Sequence, residues 1–232
     1  MKTLNAPRKK PKQSKESLSE RAYRELKRQI LDGLIPIGQQ YMEQEVAELL
    51  DMSRTPTREA LLRLANEGLI EVRPRHGMRI KPISIDDMLE IYDVLTALES
   101  IAAGLAAARE LSKDDIAGLQ DAVTDMDTAL ADDDLDTWAE ADARFHHLLV
   151  ELSGNRRLQD LVTTYLDQAH RVRMVTLRLR PKPTASNKDH RAVVRAIVKG
   201  DAAKARQIHH EHRERSGKLL ASLLLEHGLT RF

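Results

Sequence analysis

Three of the nine histidines in this 232-residue chain have a spacing that could gather metal ligands. Asp142 and His146 are four residues apart, so both side chains can lie on one face of a helix. His190 precedes Gly200 by ten residues and His212 follows it by twelve. A helical hairpin that turns at Gly200 therefore brings both imidazoles to similar heights, about 15–18 Å from the turn. Three imidazoles and one carboxylate suit Zn²⁺ or another first-row divalent metal, such as Ni²⁺ or Mn²⁺.

Spacing alone leaves the ligand assignment open, because four other histidines compete and a lone helical histidine is commonly a surface or satisfied core residue. These competitors are His147, His170, His209 and His210. Three functions fit the set: a sensor with an open coordination position, a structural metal with a closed four-ligand shell, and a hydrolase. A hydrolase needs a general base near the metal-bound water, for which Glu99 is the nearest candidate. Di-iron chemistry is disfavoured because the chain has no paired Glu-x-x-His motif.

The elements that must position these residues are long helices joined by short turns, which follow Pro82. Ser84 and Ser112 can each cap a helix, since a serine oxygen accepts a hydrogen bond from a first-turn N–H group. No strand pattern and no repeat period of 20–50 residues is evident, so we predict an antiparallel all-α bundle. The predicted helices are Asp86–Arg109, Ser112–Ala131, Leu135–Leu152, Asn155–Arg178, Ser186–Lys199 and Ala202–His227.

A second candidate site is the stretch Ser53–Leu61, which enters a helix with Pro56 in the first turn, where a missing N–H group is tolerated. Arg54, Thr55 and Arg58 then lie near the helix N-terminus, where they could contact phosphates and guanine edges in a DNA major groove. The alternative is an ordinary surface helix with two solvated arginines.

The surrounding pattern favours DNA binding, because it predicts three helices followed by a basic-tipped β-hairpin. The chain is thus predicted to be mostly α, with an N-terminal winged helix-turn-helix before the bundle. The predicted elements are helices at Leu18–Leu31, Glu43–Leu50 and from Arg54 to near Gly68, then strands at Leu69–Arg73 and Met78–Lys81 around the turn Pro74–Gly77.

Composition agrees with this division into a basic arm at 1–16, a winged helix-turn-helix at 17–82 and a bundle at 83–232. The net charge of +1 conceals a split, because residues 1–82 hold 17 Lys and Arg against 11 Asp and Glu, whereas the rest hold 20 against 25. The basic part is the part with the predicted DNA-binding helix. The arm could add nonspecific DNA affinity or merely solubilise the chain. No cysteine and no membrane-spanning apolar run occurs, which predicts a cytoplasmic protein without membrane partners.

Residues Leu26–Ile80 resemble the DNA-binding domain of the GntR family of bacterial transcription regulators. The resemblance rests on Gly33, Pro36, Gly38, the block Ser53–Leu61, Leu64, Glu67, Gly68 and Gly77. It implies that Arg54, Thr55 and Arg58 read the groove, and that Arg75, His76 and Gly77 form a wing tip at the adjacent minor groove. Many relatives carry an arginine where this chain has Gln44, so the contact made there is expected to be weaker or differently specific.

Residues 84–225 resemble the FCD ligand-binding domain that follows the helix-turn-helix in the FadR subfamily. The matching segments are Asp142–His146, Ser153–Asn155 with Leu158, Asp189–Val193, and Gly200-Asp201 followed by His212. The resemblance implies that Asp142, His146, His190 and His212 hold a metal at the bundle centre, whose coordination a small carboxylate effector completes. Many relatives have an arginine near the position of Leu95 that pairs with the effector. Its substitutes here could be Asn155, Arg171 or Arg173.

Together these observations predict an effector-responsive transcription regulator rather than an enzyme, most simply a repressor of a catabolic or transport operon. A homodimer would place two recognition helices on a palindromic operator. Effector binding is expected to shift the fifth and last bundle helices and to act through the first bundle helix and the linker 80–84. The alternatives are the same DNA-binding protein with a purely structural metal and, less favoured, a metal-dependent hydrolase.

Overall fold

A computed structural model describes residues 16–73 and 76–231, and its N-terminal part is the predicted winged helix-turn-helix. The helices are α1 (Leu18–Leu31), α2 (Glu43–Leu49) and α3 (Arg54–Asn66), and the strands are β1 (Gln40–Tyr41), β2 (Ile70–Arg73) and β3 (Gly77–Ile80). The apolar faces of α1 and α3 pack together over a core that includes Leu26, Leu64 and Met78, each at most 1% exposed. The apolar periodicity of each helix therefore faces one small core.

The wing has one more strand than the sequence predicted. β3 pairs antiparallel with β2 on one side and with β1 on the other, in the order β1-β3-β2. β1 has only two residues, too few for an alternating pattern to be visible in the sequence. Its pairing joins the wing to the residues just before α2, so the wing and the helix-turn-helix form a connected unit.

Residues 85–226 form the predicted bundle of six helices. They are α4 (Ile85–Ala107), α5 (Lys113–Ala131), α6 (Leu135–Leu152), α7 (Arg156–Thr176), α8 (Thr184–Val198) and α9 (Ala202–Glu226). Ser84 and Ser112 cap α4 and α5 as predicted, each accepting a hydrogen bond from the N–H group three residues later. None of the helices in the described ranges is both long and apolar enough to cross a membrane.

The bundle has two apolar clusters, with a band of buried polar side chains between them. α4 packs along α9, α5 packs against α6, and α8 packs against both α5 and α9. One cluster centres on Trp138 and Phe145 of α6, and the other on Met88 and Leu95 of α4. The polar band has side chains from α4, α6, α7, α8 and α9 and contains the candidate site described below.

α7 is the bundle helix that reaches the winged helix-turn-helix by polar contacts. The Lys27 ammonium lies 2.5 Å from the Asp167 carboxylate. One residue further along α7, the Gln168 amide donates to the carbonyl of Glu67 at 3.1 Å. Arg171 donates to the carbonyl of Lys81 at 2.9 Å. A cavity of about 670 Å³ lies beside these contacts, between α1 on one side and α6 and α7 on the other.

Candidate metal centre and DNA-reading face

The four residues predicted as metal ligands meet in the interior of the bundle. His146 of α6, His190 of α8 and His212 of α9 each offer a ring nitrogen within 4.8 Å of the others. One oxygen of Asp142, one turn before His146, lies 3.8 Å from His146 Nε2 and 3.8 Å from His190 Nδ1. All four side chains are buried. The helical spacing of Asp142 and His146 and the hairpin at Gly200 thus bring the residues together as the sequence analysis expected.

Carboxylates orient two of the three imidazoles through their Nδ1 atoms. His146 Nδ1 lies 2.7 Å from an oxygen of Glu99, and His212 Nδ1 lies 3.2 Å from an oxygen of Asp189. A carboxylate can only accept at these contacts, so each Nδ1 carries the proton and Nε2 is the free nitrogen. Metal-binding histidines commonly have this carboxylate–imidazole arrangement.

His190 has no such partner. Both of its ring nitrogens are buried, and neither finds a hydrogen-bond partner within the described part of the chain. Burial lowers the pKa of His190 well below its ordinary value, and burial likewise lowers the pKa of His146 to about 3. Both rings are therefore neutral near pH 7, which is the form that coordinates a metal. A buried imidazole with two unsatisfied nitrogens is costly unless a ligand atom or an ion satisfies it.

Asp142 is ionised in this site because guanidinium groups lie close to it. Although burial by itself would raise its pKa, the charge of Arg173, with a smaller contribution from Arg213, lowers it below the ordinary value. Arg173 donates a hydrogen bond to one oxygen of Asp142, while the other oxygen faces His146 and His190. The donor set is thus one carboxylate oxygen and three imidazoles, a combination that fits a divalent first-row metal.

Glu99 is the centre of a second buried group rather than a spare base. One of its oxygens contacts both His146 Nδ1 and His209 Nε2, the latter at 2.9 Å, and the other accepts from Arg213. Burial would raise the pKa of Glu99, but the charge of Arg213 and the histidine contacts hold it well below the ordinary value. With Arg213 already neutralising the carboxylate, this group is better suited to positioning His146 than to binding a second cation or activating water.

A small cavity adjoins the histidine cluster. Its free volume is about 20 Å³, room for about one water molecule. Asp142, His146 and His212 form one side of it. The remaining lining includes Tyr92, Trp138, Arg173, Arg180, Ser186 and Arg213.

Two of the three predicted effector contacts are not brought to this cavity. Asn155 is the N-cap of α7 and accepts a hydrogen bond from the N–H group of Leu158, at the end of the helix opposite to Arg173. Arg171 is buried but turns toward the carbonyl of Lys81. Only Arg173 lies at the cluster, where it contacts Asp142. Two helical neighbours such as Arg171 and Arg173 point about 200° apart, so both could not face one site.

The sequence analysis missed Arg180, Arg213 and Tyr92, and it considered Glu99 only as a base. A signal for Glu99 was present, because it follows the buried Leu95 by four residues within an otherwise apolar helix face. Leu95 itself is fully buried in the core. Arg180 lies in the connection between α7 and α8, and no periodic pattern marks it.

The residues predicted to read DNA lie on the exposed start of α3. Arg54, Thr55 and Arg58 are all exposed there, and Pro56 lies in the first helical turn. The side chain of Arg54 contacts Glu43 of α2 at 3.3 Å. Gln44 is also exposed, and its amide donates to Glu48 on the same helix. The α3 N-terminus thus presents an accessible basic surface.

Arg75 of the predicted wing tip lies outside the described residues. The predicted basic arm at 1–16 also lies outside them, apart from its last residue. His76 is exposed, and its carbonyl accepts a hydrogen bond from Gln40. Gly77 has φ of +73°, and a Cβ atom there would lie 2.0 Å from the carbonyl oxygen of Tyr41. Glycine is therefore required at this position by the packing of the wing against β1.

Two family models match the chain over these regions. The model for bacterial regulatory proteins of the gntR family matches residues 18–80, and the FCD domain model matches residues 90–215. The chain belongs to the GntR family and carries an FCD domain. It is therefore a DNA-binding transcription regulator, and neither its family nor its named relatives indicate an enzyme.

Similar proteins agree with this membership. An uncharacterised HTH-type transcriptional regulator from the TAR-I ttuE-ttuC' intergenic region of Agrobacterium vitis is 41% identical over 131 residues, 56% of this chain and 77% of that one. The HTH-type transcriptional repressor RspR of Escherichia coli is 28% identical over 195 residues, 83% and 85% of the two chains. The fold of this chain resembles the structure of E. coli McbR/YncC. The two superpose with a TM-score of 0.78 at 21% sequence identity, over 90% of this chain and 99% of that one.

Proposed function

We propose that this GntR-family regulator is a repressor of a catabolic or transport operon, and that a small carboxylate effector bound at a metal centre controls its DNA binding. The observation that carries the metal centre is His190, a fully buried imidazole with two unsatisfied nitrogens beside two other histidines and an ionised carboxylate. The proposal that the protein represses rather than activates transcription rests on two relatives named as repressors. They are RspR and a probable D-xylose utilization operon transcriptional repressor of Paenarthrobacter nicotinovorans.

The proposed ligands are Asp142, His146, His190 and His212, and Zn²⁺ is the metal that this donor set suits best, with Ni²⁺ or Mn²⁺ as alternatives. A bound divalent metal supplies a positive charge and an open position for an anionic oxygen. Glu99 and Asp189 hold the rings of His146 and His212 in orientation through Nδ1. Arg173 holds one oxygen of Asp142, which leaves the other oxygen directed at the histidines.

The effector signal is proposed to reach the DNA-binding part through α7, in addition to the route through α4 and the linker 80–84 that the sequence suggested. Arg173 contacts Asp142 at the centre, while Asp167, Gln168 and Arg171, less than two turns earlier, contact the winged helix-turn-helix. A ligand that changes the Arg173–Asp142 contact changes the position of α7, and hence the arrangement of the recognition helix. It does so only through its different affinities for the two arrangements.

On DNA, the proposed form is a homodimer that places two α3 helices in successive major grooves of a palindromic operator, as its helix-turn-helix geometry favours. Arg54, Thr55 and Arg58 would contact bases and phosphates, and the wing residues 75–77 would approach the adjacent minor groove. Gln44 would make a shorter-range polar contact than an arginine could. Such a regulator acts on the bacterial chromosome, in the cytoplasm.

The first test is metal content, measured by mass spectrometry on the purified full-length chain. We expect about one metal ion per chain in the wild type and none in His190→Ala. His210→Ala removes an exposed histidine of α9, two residues before His212, and is the matched control, which should keep its metal. A folded, DNA-binding wild type without any metal after incubation with Zn²⁺, Ni²⁺ and Mn²⁺ would contradict the proposal.

The second test separates a sensor from a structural metal. Operator binding by the metal-loaded protein is measured with and without small carboxylates, and a change in affinity supports the sensor. A bound metal with no effect of any acid on DNA binding would instead indicate a purely structural ion.

A further inference from the structure

Three guanidinium groups surround the small cavity beside the histidine cluster, and two of them already have anionic partners. Arg173 pairs with Asp142, and Arg213 pairs with Glu99. Carboxylates of the protein therefore already balance the positive charges of these two arginines.

Arg180 carries the third guanidinium and differs from the other two in its lack of an ion-pair partner among the described residues. Within residues 16–73 and 76–231, no carboxylate lies within ion-pair distance of it, and its buried Nε atom has no hydrogen-bond acceptor. Its guanidinium lies over the ring of Trp138, 5.1 Å from the centroid, which holds it against the cavity wall. Burial lowers its pKa, and the charge of Asp142 offsets only part of that effect. A partly buried cation without an anion is costly, and a bound anion would remove that cost.

The charges around the cavity determine which anion fits. The three guanidiniums outnumber the carboxylates of Asp142 and Glu99 by one, and a divalent metal raises the excess to three positive charges. A monocarboxylate would offset one of these three charges, whereas a dicarboxylate would offset two. We propose that the effector is a small dicarboxylate, with one carboxylate directed to the metal ligands and the second bound by Arg180. This inference rests on the proposed function and names the class of its effector.

The remaining polar groups of the cavity suit such a molecule. Burial raises the pKa of Tyr92, so its hydroxyl stays protonated and can donate a hydrogen bond. Ser186, at the start of α8, adds a second hydroxyl. The free volume of about 20 Å³ is too small for a dicarboxylate. Binding therefore requires this cavity to widen.

The inference is tested by calorimetric titration of the metal-loaded full-length protein with pairs of acids of equal carbon number. The pairs are malonate and propionate, succinate and butyrate, and glutarate and pentanoate. In the wild type, at least one diacid should bind tenfold or more tightly than its partner. In Arg180→Ala that preference should fall to within about twofold, because only the second carboxylate loses its contact.

Two further variants make the result specific. Arg178→Ala removes an exposed arginine of the same connection, whose partner is Asp136, and should keep the preference for the diacid. Arg180→Lys retains the charge without the fork of N–H donors and should restore part of the preference. The melting temperature of each variant checks that it is folded.

Other outcomes overturn the inference in distinguishable ways. If monocarboxylates bind as tightly as diacids and release operator DNA, the proposed function stands but Arg180 does not select a dianion. If Arg180→Ala weakens both acids of a pair equally, its role is general charge only. If no acid binds the metal-loaded protein, both this inference and the carboxylate-responsive function fail.

Discussion

Lys27 of α1 and Asp167 of α7 form an ion pair, 2.5 Å between Nζ and Oδ2, that joins the winged helix-turn-helix to the bundle. Both side chains are largely buried, at 16% and 10% exposure. Burial by itself would lower the pKa of Lys27, but the charge of Asp167 raises it, so the ammonium stays charged near neutral pH. Lys27 also contacts the hydroxyl of Tyr23 and the carboxylate of Glu67, so the pair anchors a small network.

Removing only the cation of this pair should destabilise the protein. Lys27→Met leaves the Asp167 carboxylate buried without its partner, and we expect the free energy of unfolding to fall by on the order of 3 kcal/mol. The double variant Lys27→Met/Asp167→Leu removes both charges and should recover much of the loss. Urea denaturation measures both effects. Arg24→Met, on the same helix as Lys27, breaks an exposed ion pair with Glu16. It is the control, expected to change stability by less than about 0.5 kcal/mol.

Replacing Glu99 by glutamine should weaken metal binding without removing a ligand. The amide oxygen can still accept from His146, but the negative charge that fixes the ring and raises its basicity is lost. Loss of such an outer contact typically costs 10- to 100-fold in metal affinity. Competition with a metallochromic chelator measures the change, and Glu90→Gln on the exposed side of α4 is the matched control. Unchanged affinity in a folded Glu99→Gln protein would show that this carboxylate serves packing alone.

Substitution of Arg58 tests whether the α3 N-terminus reads bases. If Arg58 makes a bidentate base contact, Arg58→Ala should weaken operator binding by about 1–3 kcal/mol and relax specificity at one position. Electrophoretic mobility shifts on the operator and on scrambled DNA separate the loss of sequence-specific binding from the loss of nonspecific binding. A uniform loss on both sequences would indicate a phosphate contact instead. Lys113→Ala, an exposed charge in the bundle, controls for the change in net charge.

Acid should destabilise the metal-free protein over a defined pH range. Burial first, and then the charge of Arg173, lower the pKa of His170 from its ordinary 6.5 to about 4. Between these values the unfolded chain binds the proton and the folded chain does not, so stability falls as the pH drops from about 6.5 to about 4. One histidine contributes a slope of at most about 1.4 kcal/mol per pH unit.

The contribution of His170 is isolated by substitution. In His170→Gln the dependence of the unfolding free energy on pH should be shallower across this window, measured by denaturant titration at several pH values. His210→Gln removes an exposed histidine and should leave the slope as it is. An identical slope in wild type and His170→Gln would show that other groups account for the acid sensitivity.

Local patterns in the sequence predicted much of this molecule because helix caps and apolar periods act over a few residues. α6 begins at Leu135 and ends at Leu152 as predicted, between the cap Asp134 and the break at Ser153. The position of Asp142 and His146 on one face of this helix followed from their four-residue spacing. The convergence with His190 and His212 followed from a turn at Gly200, because the rise per residue of the two helices places both histidines at similar distances from that turn.

What the sequence could not predict depends on contacts between residues far apart in the chain. Glu67 meets Gln168 across a separation of 101 residues, and no local pattern pairs them. Arg171 and Arg173 differ in role only because one faces Lys81 and the other faces Asp142, which requires the rotation of α7 in the bundle. Arg180 belongs to a connection without periodicity, so its place beside the cluster emerges only from the folded chain.

α7 has neither glycine nor proline between Arg156 and Thr176, and its contacts with the two halves of the molecule lie within seven residues, about 10 Å of helix. Sharp kinks in helices occur almost always at proline, glycine pairs or bulges, so a shift of α7 at Arg173 is expected to move Asp167 as well. If the proposed effector signal passes along α7, substitutions on its exposed face should leave the signal unchanged. A proline, or a pair of glycines, between Asp167 and Arg173 should instead weaken the response of DNA binding to the effector.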